Sequence, residues 1–204
     1  ALEKFHDEAF ALDKVKHKQI VQYHESFVED HRAYLVLQYL EGKTLRQLIE
    51  EEGPLSPEDS LLFSTQMCEI LSELHKLEPP LIHRDFTPDN LMVSPSRQLV
   101  LIDFAVAVST SDSSDESAGK IAYMAPEQFK GSSTVQSDIY SCAATMFYVM
   151  TGSDPIPLSQ SHPKHQMPQV PENIDALVAK ATEQEQENRI RSISEMQEVL
   201  KQLA

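Results

Sequence analysis

An acid and a carboxamide share one short loop in His83-Arg84-Asp85-Phe86-Thr87-Pro88-Asp89-Asn90. That pairing and spacing suit phosphoryl transfer: Asp85 can orient an attacking hydroxyl and accept its proton, while Asn90 can help hold a magnesium ion that neutralises developing charge. The same residues also suit a plain turn, in which Asp and Asn satisfy their own backbone and Pro fixes φ. Further on, Leu99-Val100-Leu101-Ile102 reads as a buried strand that delivers another carboxylate, Asp103.

Several elements must hold these groups in place. Residues 20–40 read as two strands, with 33–39 the clearer. Helices are expected over 44–51 and 57–77, the second with a buried stripe of Leu61, Leu62, Met67, Ile70, Leu71 and Leu74. Ser56 is a good N-cap for it, with Pro57 in the first helical position. Residues 137–151 are nearly apolar all round, as a central buried helix should be, and Gly152 ends them. Further helices are expected over 171–183 and 192–203, and the apolar spacing Leu2, Phe5, Ala9, Leu12, Val15 predicts one over 2–16.

Taken in order, these landmarks resemble a eukaryotic-like protein kinase domain of the bacterial serine/threonine type. His83-Arg84-Asp85 with Asn90 resembles the catalytic loop, Asp103-Phe104-Ala105 the D-F-G motif, and Ala125-Pro126-Glu127 the A-P-E motif. Asp138 resembles the buried aspartate that anchors the catalytic loop, and Glu187-Asn188-Arg189 the segment whose arginine pairs with the A-P-E glutamate. The resemblance implies an α+β, protein-kinase-like fold: a mostly helical C-lobe (41–204), and a remnant of the N-lobe (1–40) with helix C and a partial sheet that lacks its first strands. It implies ATP and Mg2+ as cofactors, with Asp85 as catalytic base and Asn90 and Asp103 on the metal. Leu37 would be the gatekeeper, Gln38 and Leu40 would meet the adenine edge through their backbones, Met92 would floor the pocket, and Glu8 would be the helix C glutamate. The acceptor would be a Ser or Thr hydroxyl of a protein.

Departures from the pattern are as informative. With glycines only at 42, 53, 119, 131 and 152, the chain has no Gly-rich phosphate loop, and no lysine of the V-A-I-K type precedes its first helix. The chain is therefore expected to be a fragment of a longer protein and a poor catalyst by itself. Ala105 replaces the D-F-G glycine, removing φ freedom but leaving the carboxylate. Thr87 stands where serine/threonine kinases carry a lysine, and Lys120 where they carry a threonine, which suggests an exchanged pair. The polar, acidic segment 109–117 resembles an activation loop whose autophosphorylated Ser or Thr would pair with Arg84. Rival readings are a pseudokinase scaffold or binding module without phosphotransfer, and a small-molecule phosphotransferase of the aminoglycoside-kinase type. The A-P-E glutamate, Asp138 and Arg189 speak against the latter.

Composition narrows the class. At 204 residues and 41% hydrophobic content the chain can bury one sizeable core and is expected to be one domain. Its net charge of -15 argues against a nucleic-acid surface, which needs clustered cations. No apolar run is long enough for a membrane span and the start lacks a signal-peptide plan, so a cytoplasmic segment is expected, with any membrane anchor of the parent elsewhere. Cys68 and Cys142 lie in apolar helical stretches and read as reduced, buried thiols.

Overall fold

The computed structural model describes residue 13, residues 15–103 and residues 121–202. In chain order the elements are β1 (Tyr23–Glu29), β2 (Arg32–Leu37), β3 (Lys43–Thr44), α1 (Leu45–Glu52), α2 (Pro57–His75), β4 (Leu91–Val93), β5 (Leu99–Leu101), α3 (Pro126–Phe129), α4 (Val135–Thr151), α5 (Glu172–Ala181) and α6 (Ile193–Lys201). Of the helix expected over 2–16, only Asp13, Val15 and Lys16 are described, and Asp13 is helical. Glu8, Ala105, the 109–117 segment and Lys120 lie outside the described residues.

Helix α4 is the hub. Every residue from Ser137 to Thr151 is buried, because a helix with no polar stripe has no face to offer water. A capping box between Thr134 and Ser137 starts it, and Gly152, at φ 71, ends it in the left-handed conformation. Helices α2 and α5 pack on α4, and α6 closes against α2 and α5. The stripe of α2 runs through Phe63, Met67, Cys68, Ile70, Leu71 and Leu74. Leu62 is a correction to the expected stripe: at 43% exposure it lies outside, since a helix turns about 100° per residue and position 62 falls well off the 63–67–70–74 line.

Helix boundaries shift for a consistent reason. Thr44 and Ser192 each accept a backbone N–H three residues on, so each is an N-cap rather than a helical residue, while Ser56 caps α2 as expected. At the other end of α5, the Thr182 hydroxyl turns back to the Val178 carbonyl at 2.8 Å and accepts the Ser161 N–H at 2.8 Å, stopping the helix. Between Gly152 and Glu172 the only regular element is a 3-10 turn, Pro163–His165.

Among the described residues there are two small sheets. β1 and β2 form an antiparallel hairpin, and β3, β4 and β5 an antiparallel sheet in that order. The hairpin turns through Asp30 and His31, both at positive φ (48° and 60°), the twist a two-residue turn needs. Just before it, Val21 donates to the Leu101 carbonyl and Leu101 to the Gln19 carbonyl, each at 2.9 Å, tying the chain to β5. Among the described residues no helix is long and apolar enough to cross a membrane.

Candidate active site

The loop bearing Asp85 has little regular structure and is held from beneath. Asp138, on α4 and fully buried, accepts the backbone N–H groups of His83 and Arg84, both at 2.9 Å, and meets His75 Nε2 at 2.9 Å. A buried carboxylate needs such donors, and here it finds two in one loop and one on α2. The arrangement keeps Arg84 at φ 70, a left-handed conformation that side-chain-bearing residues adopt only when their surroundings enforce it.

His83 carries the next link. It is buried and meets Phe86 edge to face, ring centres 5.8 Å apart. Its Nδ1 accepts the Asp85 N–H at 3.3 Å, so Nε2 bears the proton and donates to the Asp103 carbonyl. One imidazole thus bridges the loop of Asp85 and the strand end of Asp103. Thr145, on α4, donates to the Phe86 carbonyl at 3.0 Å, fixing the loop midway.

Asn90 closes the turn. Its carboxamide nitrogen donates to the Asp85 carbonyl at 2.8 Å and to the Asp85 carboxylate at 2.9 Å. Its own carbonyl accepts the Ile102 N–H at 3.0 Å, which sets Asp103 beside it. Asp85, Asn90 and Asp103 are therefore brought together. Thr87 belongs to the same turn, with its backbone N–H on the Asp85 carbonyl at 3.0 Å. Its hydroxyl is buried and has no hydrogen-bond partner among the described residues.

The residues assigned to the adenine side are spread over two sheets. Leu37 ends β2 opposite Tyr23, and it and Leu40 pack half-buried against the core. The Gln38 N–H is used by the Gln22 carbonyl at 2.8 Å, whereas the Gln38 carbonyl and Leu40 N–H have no backbone partner among the described residues. Met92 is half-buried in β4, between Thr44 and Val100.

Glu127 and Arg189 form the expected ion pair, Nη1 to Oε1 at 2.6 Å and Nη2 to Oε2 at 3.1 Å. Burial by itself would raise the Glu127 pKa, but the Arg189 fork and the Ser137 hydroxyl at 2.8 Å outweigh it and hold the carboxyl below its ordinary range. Arg189 also donates to the Glu183 and Gln136 carbonyls and lies 5.1 Å from the Tyr140 ring centre. Cys68 and Cys142 are free and buried, and burial beside Cys68 pushes the Cys142 thiol up, away from reactivity.

The protein kinase domain family profile matches residues 2–204. The chain belongs to the protein kinase domain family. Among its relatives, the probable serine/threonine-protein kinase PknB of Lactococcus lactis is 30% identical over 96% of this chain and 34% of that protein. Serine/threonine-protein kinase PrkC of Bacillus subtilis is 27% identical over 98% of this chain and 33% of that protein. The chain thus spans about a third of the length of these curated relatives. The crystal structure of the Mycobacterium tuberculosis PknI kinase domain superposes with a TM-score of 0.80 at 21% identity, covering 100% of this chain and 79% of that one. The fold is that of a protein kinase: small sheets towards the N-terminus and a helical C-lobe.

Arg46 was not foreseen. It joins Asp89 of the catalytic loop to residues far along the chain, and an arginine early in an amphipathic helix carries no sequence signal of such a role.

Proposed function

We propose that this kinase domain transfers the terminal phosphoryl group of ATP to Ser or Thr hydroxyls of proteins, with Asp85 as base and Asn90 and Asp103 as metal ligands. The observation that carries it is Asn90, whose backbone carbonyl holds the Ile102 N–H one residue before Asp103 and whose carboxamide nitrogen is fixed on the Asp85 carboxylate. That bond leaves a carboxamide oxygen and a carboxylate as hard donors, and two protein oxygens completed by phosphate and water are what Mg2+ prefers. The residues present therefore fit the metal. When bound, Mg2+ and ATP would supply the phosphoryl donor and neutralise charge as it develops.

The chain's own part is positioning. Asp85 would orient the acceptor hydroxyl and take its proton. The carbonyl of Gln38 and N–H of Leu40 would meet the adenine edge, with Leu37 and Met92 as its apolar walls. Residues 1–40, which include the β1–β2 hairpin, are read as the N-lobe part, with Glu8 in its helix, and 41–204 as the C-lobe. A cytoplasmic location, where ATP is supplied, belongs to the same proposal.

The exchanged pair is supported by Thr87, whose buried hydroxyl is left for a donor or acceptor from the segment that contains Lys120. One set of variants tests all this in the complete gene product, assayed for magnesium-dependent labelling of protein. Asp85→Asn should lower transfer by about a hundredfold or more, the usual worth of a general base. Lys120→Met should lower it strongly and Lys130→Met should not. Transfer undiminished in Asp85→Asn would remove Asp85 as the base, and transfer absent in the wild type would replace the kinase reading with that of a binding module. Equal activity in the two lysine variants would remove the exchange.

A further inference from the structure

Arg46 is the second residue of α1, whose start is set by the Thr44–Gln47 capping box. A cation in the first turn opposes the helix dipole, and no acid stands in that turn to compensate, so its position is not explained by the helix. Its partners explain it. Nε donates to both oxygens of Asp89 at 2.9 Å, Nη1 to Asp154 at 3.2 Å, and Nη2 to the Tyr123 hydroxyl at 3.4 Å. Tyr123 in turn donates to Asp154 at 2.5 Å, and the guanidinium lies over the Tyr148 ring at 4.8 Å from its centre.

One side chain thus joins four separate segments: α1, the catalytic loop, the stretch leading to Pro126-Glu127, and the loop after α4. The network is enclosed on its Arg46 and Tyr123 side, 20% and 1% exposed, and open at its two carboxylates, with Asp89 41% and Asp154 42% exposed. Burial and the bond to Asp154 raise the Tyr123 pKa well above its ordinary value, so the phenol stays a donor throughout the physiological range. The metal-side residues are anchored independently, through Asp138 and His83. Arg46 has no bond to Asp138, His83, Asn90 or Asp103, nor to Leu37, Gln38, Leu40 or Met92, among the described residues. Asp89 lies four residues from Asp85, at most about 14 Å along an extended chain, within the span of a bound peptide.

We infer that Arg46 is a positioning residue for the protein acceptor, locking the Tyr123 segment against the catalytic loop through Asp89 and Asp154. This rests on the phosphotransfer reading and adds to it the side of the site on which Arg46 acts. The acceptor segment and the nucleotide site are then tuned separately.

The test is steady-state kinetics of the complete gene product with dephosphorylated casein as acceptor probe, varying casein and ATP in turn. Arg46→Ala should lower kcat/KM for casein by about tenfold or more, as loss of charge-assisted hydrogen bonds does, and leave the KM for ATP within about twofold. Arg46→Lys should not restore it, because one ammonium cannot fork between Asp89 and Asp154. Tyr123→Phe combined with Arg46→Ala should be little worse than Arg46→Ala alone. If Arg46→Ala does not fold, Asp154→Asn, at a partly exposed position, should lower casein kcat/KM in the same direction at unchanged melting temperature.

Unchanged casein kinetics in a folded Arg46→Ala or Asp154→Asn, full rescue by lysine, or an equal rise in the KM for ATP would overturn the inference while leaving the kinase reading intact. Absence of transfer by the wild type would overturn the kinase reading and the inference with it.

Discussion

The catalytic loop and the β1–β2 hairpin are opposites. Beyond a register shift between Tyr23 and Glu25 the hairpin is regular, with cross-strand partners from Glu25↔Val36 to Glu29↔Arg32, yet Phe27, Val28 and Tyr34 are exposed. The loop has only a 3-10 turn, Pro88–Asn90, yet Asp138 and Thr145 bind it from the core, and its own His83 ties it to the Asp103 carbonyl. Regular secondary structure satisfies the backbone locally, but it does not place an element against its neighbours. Buried polar anchors do, because leaving any one of them unpaired is costly. Positional accuracy in this domain therefore follows burial of polar partners, and the proposed chemistry is assigned to the loop they hold.

The largest effect should come from breaking the most enclosed anchor. Arg189 has no exposed side-chain surface and Glu127 little, so Arg189→Ala should destabilise by about 3–5 kcal/mol in urea unfolding, the range for stranding a buried charge. The pair also fixes a pH dependence. Because the folded-state pKa of Glu127 is lowered, its contribution is fully present above the unfolded value, 4.5, and is lost as pH falls through the folded one. Glu127→Gln should flatten that part of the stability profile. A wild-type profile as flat as the variant's would show that the ion pair is not what holds the A-P-E segment.

Asp138→Asn probes the loop directly. An amide keeps the shape but offers one acceptor oxygen for two backbone donors, so a loss of about 1.5–3 kcal/mol is expected, as for hydrogen bonds to a charged group. Transfer should fall with it, since Arg84 would relax from φ 70 and move Asp85. Asp175 supplies the control. From within α5 it likewise accepts a backbone N–H, from Lys164 at 2.8 Å, and pairs with His162 at 2.9 Å, both in the turn before that helix. Asp175→Asn should lower the melting temperature and spare activity in the folded protein. Equal activity losses in both would mean that global stability, and not placement of Asp85, is being measured.

How much of this could be read in the sequence depends on the range of each interaction. Asp85 and Asn90 were legible because their bond closes within one turn. Asp138 and the Glu127–Arg189 pair, though distant, were reached through the family resemblance, since each stands in a motif of its own. Arg46 was not legible: its partners lie 43, 77 and 108 residues away and form no motif with it. The helix starts were misjudged by one residue because Thr and Ser at N-caps lie just before the periodic pattern they begin. Leu62 was misjudged because a leucine's hydrophobicity does not reveal which side of α2 it occupies.

The smallest effect expected sharpens the contrast at a single backbone angle. His31 in the hairpin, at φ 60, and Arg84 in the catalytic loop, at φ 70, share the left-handed conformation for different reasons. At His31 the two-residue turn demands it, so His31→Gly should relieve the strain and stabilise the hairpin by about 0.5 kcal/mol, slowing amide exchange in Tyr23–Glu29 and Arg32–Leu37 about twofold. Phosphotransfer should be unaffected. At Arg84 the conformation is imposed by Asp138, so Arg84→Gly would relieve the same strain while loosening the loop that carries Asp85, and transfer should fall even if the melting temperature does not. A His31→Gly variant with faster hairpin exchange would show that the turn is not the source of the positive φ. Undiminished transfer by Arg84→Gly would show that the Asp138 anchor alone places Asp85, without help from the stiffness of a side-chain-bearing residue.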